Sequence, residues 1–291
     1  MKQYWMGIDR EVGRLHSHAG SFFGLQQIYT PAFLQECTDR LAKAVEAARG
    51  EPVFEQRVEL HAEGFHNAVD YQKLCQAMAQ GDFGQAQNVY DSMVARLRAL
   101  AAKGWANPEY GTAYLERFLS KNLRAGVAAT TAPNKLLQVM PERWRFAFDE
   151  ENRGLEQGWH KAEFSDANWP LVSTWEKTLD AQGYDKNTVL WYRTTFRVPQ
   201  THGALTLFFT EVDGWAEVYV NGEKVSPVAS GETAKAASDG RARPRQAFEV
   251  SVSNVIHAGE NIVALRVDHA KITELALGGI LRPVLLIEKT Q

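Results

Sequence analysis

The stretch from Trp191 to Gly222 constrains the fold more than any other part of the chain. It holds two β-rich runs and part of a third, which are separated by turn residues, and it closes on Asn221-Gly222. An Asn-Gly pair after an alternating run is the strongest short-range signal for a tight β-hairpin. Short strands joined by such turns are typical of an antiparallel β-sandwich, which is the fold we predict around this stretch.

The composition differs between the two ends of the chain. Residues 1 to about 130 are rich in Ala, Gln, Glu and Leu at helical spacing, whereas the remainder carries six of the eight tryptophans and the Val- and Thr-rich runs. A chain of 291 residues is long enough for two domains. We therefore predict a helical bundle over residues 1–135 and an antiparallel β-sandwich over residues 136–291.

The first part carries start and stop signals for consecutive helices. Thr30-Pro31 supplies an N-cap with proline in the first helical position, and Gly50 is a natural stop. The other helices are predicted from Trp5 to near Gly20, from Pro52 to Gly81, from Asp82 to Gly104 and from Asn107-Pro108 onward. Residues 124–138 lose helical periodicity and are the predicted linker.

Beyond the linker, apolar and polar residues alternate with the two-residue period of strands. In the run from Leu190 to Val198, this alternation separates an inward set that includes Tyr192 from an outward set that includes Trp191 and Arg193. Residues 226–245 lack an apolar period, and we predict a mobile surface loop there.

The charge and the hydropathy of the sequence argue against two classes of partner. The net charge is -3 and the pI is near 6.3, whereas a nucleic-acid-binding protein normally shows a basic stripe. The start of the chain lacks the apolar core of a signal peptide and is too polar for a membrane span. We therefore expect neither a nucleic-acid nor a membrane partner. Cys37 and Cys75 are interpreted as reduced core thiols, which leaves the compartment open.

The sequence offers no pair of carboxylates suited to glycoside hydrolysis. That reaction usually needs two carboxylates facing each other across a cleft. Glu150 with Glu151, and Asp268 with Glu274, are near neighbours on loops, where a solvated face is the simpler interpretation. We predict no catalytic residue, no metal site and no cofactor. Asp166, Asp213 and Asp268 lie near strand ends, which allows a structural calcium site, but no ligand spacing supports one.

The aromatic residues of the second part are the remaining chemical signal. Sugars stack on Trp and Tyr while polar side chains bind their hydroxyls, although large aromatics are first of all core material. Four candidates lie outside clear strands, and polar companions lie near them in the sequence. The aromatic candidates are Trp159, Trp169, Trp175 and Tyr184, and the companions are His160, Glu176, Asp268, His269 and Lys271.

Two further candidates come from strand alternation. In the run from Trp215 to Val220, Ala216 and Val218 belong to the core face, whereas Trp215 and Tyr219 belong to the opposite face. Either another element, such as the helical domain, covers these two rings, or they are exposed for a ligand.

The ordered motifs of the second part resemble the sugar-binding β-sandwich of glycoside hydrolase family two and its relatives. These motifs are Trp191-Tyr192-Arg193, Val212-Asp213-Gly214, Val218 to Gly222, Gly259-Glu260-Asn261 leading to Val267, and Gly278-Gly279-Ile280 with Arg282-Pro283. The resemblance implies a jelly roll of eight to nine strands, similar to galactose-binding-like carbohydrate modules. In that family, Trp191, Tyr192, Arg193, Asn221 and Gly222 look architectural. The catalytic residues belong to a separate barrel, so none is carried over.

The helical part resembles the helical region that follows the barrel in bacterial proteins related to α-glucuronidases. The residues that carry this resemblance are His16-Ser17-His18-Ala19-Gly20, Ile28-Tyr29-Thr30-Pro31 and Leu41-x-x-Ala44. It implies the C-terminal part of a larger bacterial polysaccharide-degrading protein, with a catalytic domain upstream. The parent protein is then expected to be secreted or periplasmic.

Three functions remain open from the sequence. The first is a non-catalytic fragment of a bacterial glycoside hydrolase whose sandwich binds an oligo- or polysaccharide. The second is a purely structural fragment that braces the upstream catalytic barrel. The third is a self-sufficient hydrolase with a site at the cleft between helices and sandwich.

Overall fold

The computed structural model describes residues 1–15, 24–198, 203–228, 233–271 and 278–289. The chain forms two compact units, one of Met1–Ala77 with Gln85–Phe118 and the other of Met78–Gly84 with Leu119–Gln291. The division therefore falls about 17 residues before the predicted boundary at 135. Helices dominate the first unit and antiparallel strands the second, as the composition predicts.

Most of the predicted helix signals act where the sequence places them. Thr30 accepts a hydrogen bond from the backbone N–H of Phe33 at 3.3 Å, and Gly50 and Gly81 follow two of the helices with φ of +86° and +77°. The helices are α1 (Lys2–Leu15), α2 (Leu25–Ile28), α3 (Pro31–Ala48), α4 (Pro52–Ala79), α5 (Phe83–Ala102), α6 (Pro108–Leu115) and α7 (Lys121–Thr130), with a π-helical turn at Glu116–Ser120. The predicted end of the first helix, near Gly20, lies outside the described residues.

The helical unit has its own apolar core. Tyr4, Phe33, Leu41 and Phe65 are buried around Cys37, and Tyr4 meets Phe65 edge to face with ring centroids 6.3 Å apart. Both Cys37 and Cys75 are buried and carry reduced thiols, as predicted. None of the helices in the described part of the chain is both long and apolar enough to span a membrane.

The predicted linker at residues 124–138 is regular structure instead. It contains the end of α7 and most of the first strand, β1 (Lys135–Val139). The helix was missed because its buried residues are small: Ala125, Gly126 and Ala129 face the interior where larger apolar residues would mark a helical stripe. A side chain at 126 would collide with the Phe83 ring, so this close approach requires glycine.

The second unit is a β-sandwich of two large antiparallel sheets. The further strands are β2 (Arg143–Asp149), β3 (Leu171–Ser173), β4 (Val189–Val198), β5 (Ala204–Phe209), β6 (Val212–Asp213), β7 (Trp215–Val220), β8 (Glu223–Val225), β9 (Pro227–Val228), β10 (Phe248–Ser251), β11 (Gly259–Asp268), β12 (Gly279–Ile280) and β13 (Val284–Lys289). One sheet has the strand order β1-β13-β5-β10-β9, the other has the order β3-β2-β4-β11-β7-β8, and β12 pairs with β6 as a short ribbon. The described strands outnumber the eight or nine expected because β3, β6, β8, β9 and β12 are short additions of two or three residues.

The two large sheets enclose one apolar core. Trp144, Phe146 and Tyr192 enter it from one sheet, and Phe209 stacks on Phe248 from the other with ring centroids 4.7 Å apart. Asn221 and Gly222 join β7 to β8 with positive φ at both positions, which is the type of hairpin that Asn-Gly predicts.

Contacts with the sandwich hold the described part of the predicted surface loop at 226–245 in place. Ala242 is buried and forms a bridge with Ala216 beside β7, and Arg245 binds Asp213. The sequence pattern failed here because single buried contacts, rather than a periodic apolar face, hold this segment in place.

Candidate functional site

A second aromatic cluster lies on the outer face of the six-stranded sheet. Trp191 and Tyr219 project from β4 and β7, away from the sandwich core, and their rings stack 5.9 Å apart at 28°. The segment of residues 154–169, which we call the covering segment, packs over them. Its Trp159 and Trp169 meet edge to face at 5.0 Å, and Trp159 meets Trp191 at 6.1 Å. The outer face is therefore covered here by the protein's own chain.

Arg193 fixes the covering segment to the sheet. Its guanidinium donates to the carboxylate of Asp166 at 2.9 Å and to the carbonyl oxygens of Trp159 and Phe164. It also lies over the Phe164 ring, 5.4 Å from the centroid. The sequence places Trp191 and Arg193 in an outward set, yet the two are 0% and 1% exposed. The alternation is correct, but exposure does not follow because the covering segment buries this part of the outer face.

Asp149, at the end of β2, fixes the start of the covering segment. Its carboxylate accepts hydrogen bonds from the backbone N–H groups of Arg153 and Gly154 at 2.7 and 2.9 Å and from the indole N–H of Trp191 at 3.0 Å. A side chain at position 154 would collide with Trp159, Trp191 and this carboxylate. The buried carboxylate therefore acts as a hydrogen-bond acceptor within the fold.

The covering segment also packs over Tyr219. The imidazole of His160 lies 5.1 Å from its ring, and only 5% of Tyr219 is exposed. Burial raises the pKa of Tyr219 to about 12, and burial also lowers the pKa of His160. Both groups are therefore neutral near pH 7.

The other predicted residue of β7, Trp215, belongs to a charged cluster at the end of β11. Arg241 lies over the Trp215 ring at 5.1 Å and binds Asp268 at 3.1 Å. Next to it, His269 is buried with its Nε2 3.3 Å from Asp213. Asp268 and His269 therefore hold the strand end together, and the partly exposed Trp215 ring has a cation on one face.

Asp213 is the buried centre of this cluster. Arg245 donates to both of its oxygens at 2.7 and 3.2 Å, and the Gly278 N–H donates at 3.2 Å. Burial opposes ionisation of Asp213, but the hydrogen bonds from His269 and Arg245 outweigh it and lower the pKa.

The remaining predicted residues lie near β3 and the core edge. Trp175 is 8% exposed, and Tyr184 packs against Phe146 with ring centroids 5.1 Å apart. Glu176 is exposed. Trp175 and Tyr184 are thus packed within the fold, away from the ring pair Trp159–Trp169 and from the cluster around Trp215.

The calcium interpretation is not supported by the geometry. Asp166, Asp213 and Asp268 each accept a hydrogen bond from a different arginine. Within the described residues, no three His, Cys, Asp or Glu side chains are grouped as metal ligands.

A polar pocket of about 270 Å³ lies beside the covering segment. Arg143 and Arg145 of β2, Thr194 and Thr195 of β4, and the Phe164 ring contribute to its wall. Arg145 donates to the carbonyl oxygen of Trp169 at 2.6 Å, and the Arg143 side chain is 70% exposed. The pocket could hold a small polar molecule through its hydroxyl and guanidinium groups.

Sequence reasoning missed these pocket residues. Arg145 pairs directly with Arg193 across β2 and β4, so a known register would have placed both on the outer face. The alternation of Arg145 with the buried Trp144 and Phe146 was the available signal.

Residues 155–272 match the family described as the β-galactosidase second all-β domain. Over these residues the sandwich is similar to an all-β domain found in glycoside hydrolases of family two. The resemblance of the helical part stays a prediction, and His16 to Gly20, which carry part of it, lie outside the described residues.

Solved structures of glycoside hydrolases resemble part of this chain. The β-glucuronidase of an uncultured Clostridium species has a TM-score of 0.43 and 20% identity, with 55% of this chain and 30% of that chain covered. The Ruminococcus gnavus β-glucuronidase has a TM-score of 0.42 and 18% identity, with 55% of this chain and 29% of that chain covered. A Bacteroides vulgatus β-glycosidase has a TM-score of 0.38 and 20% identity, with 51% of this chain and 19% of that chain covered. The match therefore spans less than a third of each of these proteins. A search of the curated proteins finds no match.

Proposed function

We propose that this chain is a non-catalytic accessory region of a bacterial glycoside hydrolase. The observation that carries the proposal is the match of residues 155–272 to the β-galactosidase second all-β domain. The arrangement of carboxylates supports it, because Asp149, Asp166, Asp213 and Glu217 are engaged by arginines or backbone amides that hold the fold. A general acid or nucleophile must instead face a substrate.

Within that role, bracing a catalytic domain is the function that the geometry supports best. The predicted sugar-stacking rings are packed: Tyr219 and Trp175 are buried, and Trp159 meets Trp169 edge to face. A saccharide platform needs an open aromatic face. We propose that the partner is a catalytic barrel encoded upstream in the same parent chain, which is secreted or periplasmic.

The first experiment is a turnover assay of the purified chain on a panel of aryl glycosides. We expect no hydrolysis above the buffer rate. Turnover that one carboxylate-to-amide substitution abolishes, for example Glu150→Gln or Asp268→Asn, would overturn the accessory role and favour a self-sufficient hydrolase.

The bracing role is tested separately by adding the barrel encoded by the flanking sequence. We expect the mixture to unfold at a higher temperature than either part alone, and unchanged midpoints would contradict bracing.

Saccharide binding by the sandwich is the second candidate, and the outer-face pocket favours it. Thr195 shares the outer face with Arg193 and offers a hydroxyl to the pocket, which Arg145 and Phe164 also line. Such a mixture of one apolar face and a few polar groups suits a sugar ring.

A glycan array followed by calorimetry tests this candidate. Thr195→Val keeps the side-chain shape and removes one hydroxyl, so binding should weaken roughly 2- to 10-fold. Arg197→Gln, on the same strand but outside the pocket lining, is the matched control. Equal affinities in both variants, or no sugar bound by the wild type, would reject the pocket as the site.

A further inference from the structure

The helical unit contains a cavity that the proposed accessory function does not use. It has a volume of about 500 Å³ and lies among α2, α4, α5 and α6. This volume is within the range of pockets that bind small molecules. Every residue of its lining belongs to the helical unit.

Tyrosine dominates the wall of this cavity. Tyr29, Tyr71, Tyr110 and Tyr114 line it, together with aliphatic side chains such as Met93 and Leu97 and the amide of Asn67. Tyr110 is 75% exposed, which is unusual for a large ring and places an open aromatic surface at the rim. The wall therefore offers ring faces, apolar contacts and few polar groups.

The charged side chains of the same helices do not line the cavity. Arg96 of α5 binds Asp70 and lies 3.8 Å from Glu63, so these charges of α4 and α5 are paired with each other. None of the described residues in the lining has a formal charge at pH 7. An ionised ligand would lose its hydration there without gaining a counter-charge.

Glycine keeps the cavity open on the α4 side. Gly64 lies in the interior of α4, where glycine costs about 1 kcal/mol relative to alanine. A Cβ built at this position meets nothing within 4 Å, so a side chain there would extend into open space. The missing side chain thus leaves room for a ligand.

We infer that this cavity is a binding site for an uncharged compound with an aromatic ring system. Aromatic ligands gain both apolar burial and ring-to-ring contacts with the tyrosines. The Asn67 amide and the exposed Tyr110 hydroxyl supply polar contacts for a hydroxyl or carbonyl on the ring. An uncharged sugar, by contrast, needs more hydrogen-bonding partners than this wall provides.

The test is calorimetric titration of the full chain with 2-naphthol, which is neutral at pH 7. We expect a dissociation constant on the order of 0.1 mM. The matched anion 2-naphthoate should bind at least about 10-fold more weakly because its charge has no partner in the cavity. Absence of naphthol binding at millimolar concentration would overturn the inference, and so would equal binding of the anion.

Substitutions locate the site. Gly64→Leu projects a side chain into the cavity and should abolish binding, whereas Gly13→Leu, at a helical glycine of α1 that also faces open space, should leave it unchanged. Tyr110→Ala should weaken binding about 3- to 10-fold through loss of the rim ring. Far-ultraviolet circular dichroism establishes that the variants fold. Binding that survives Gly64→Leu, or a site that prefers cellobiose to naphthol, would contradict the assignment.

Discussion

Two buried side chains, Arg193 and Asp149, hold the covering segment on the outer face of the six-stranded sheet. Arg193 holds the covering segment through one carboxylate and two carbonyl oxygens, and Asp149 joins its start to the sheet by accepting from the backbone N–H groups of Arg153 and Gly154 and from the Trp191 indole. Hydrogen bonds to charged groups are worth more than neutral ones, and a buried partner left unpaired is costly. These two residues therefore determine whether the segment stays on the sheet.

Replacing Arg193 by methionine should destabilise the protein by about 3 kcal/mol, because Asp166 and two carbonyl oxygens lose their partner. The Trp159 and Trp169 fluorescence should shift to longer wavelength as the covering segment loosens. Urea unfolding followed by tryptophan fluorescence measures both effects. Arg197 is exposed and lies four residues further along the same strand, so Arg197→Met should change stability by less than about 0.5 kcal/mol. Equal losses in the two variants would contradict the role given to Arg193.

Glu211 should give the protein a distinctive pH dependence. It is 3% exposed, and burial raises its pKa from 4.5 to about 7 although Arg282 and Arg245 oppose this. The unfolded chain therefore releases this proton at lower pH than the folded chain does, so stability falls as pH rises from about 4.5 to 7. The interval between the two pKa values corresponds to about 3 kcal/mol.

The Glu211→Gln variant isolates this effect. Relative to wild type, its free energy of unfolding should improve progressively between pH 4.5 and 7.5 and then level off. The pH-dependent difference is measured by urea unfolding at a series of pH values, with the exposed Glu260→Gln as the control. A difference that stays constant across this range would refute the raised pKa of Glu211.

At the scale of elements, helix boundaries and strand faces could be predicted from the sequence. Which segment packs over a given strand face could not. Thr30, Gly50 and Gly81 act through local backbone chemistry, so they predict helix ends without knowledge of the rest of the fold. Trp191 and Tyr219 were assigned to the correct face by alternation. What lies over them depends on a segment with no periodic pattern, held by single hydrogen bonds, and no local signal reveals that.

The candidate site shows the same limit. Trp175, Tyr184 and His269 have the residue types of a sugar site, yet packing and ion pairs account for them. The polar pocket beside Arg145 depends on the register of β2 against β4, which is a long-range property. Residue type alone therefore does not indicate which surface these residues form.

Two helical glycines should respond oppositely to alanine. Gly64→Ala places a methyl group in open space and should stabilise the protein by up to about 1 kcal/mol. Gly126→Ala brings a methyl group within 2.1 Å of a Phe83 ring carbon and should destabilise it by about 1 to 3 kcal/mol, despite the better helix propensity. Thermal and urea unfolding measure both changes. The same sign of change in both variants would contradict the packing described for α7.

The whole molecule offers a separate spectroscopic reporter for each unit. Cys37 and Cys75 both lie in the helical unit, whereas six of the eight tryptophans lie in the unit of the sandwich. Thiol reactivity therefore reports on the helical unit alone, whereas tryptophan fluorescence reports mainly on the unit of the sandwich.

Native thiols should react very slowly with a disulfide reagent such as DTNB. Both thiols are buried, and burial raises the pKa of Cys37 to about 11, so little thiolate is accessible at pH 8. In guanidinium chloride, two thiols per chain should react at once. Rapid reaction of the native protein would show that the helical core opens easily.

The covering segment also affects how fast proteases cleave the protein. Lys161 is exposed and lies in a polar, glycine-containing stretch that sequence alone would mark as an easy tryptic site. A protease, however, must draw several residues into its cleft in extended form, and the neighbouring Trp159 and Phe164 carbonyls are held by Arg193. Cleavage there should therefore track local unfolding rather than surface exposure, with a rate that rises sharply in Arg193→Met.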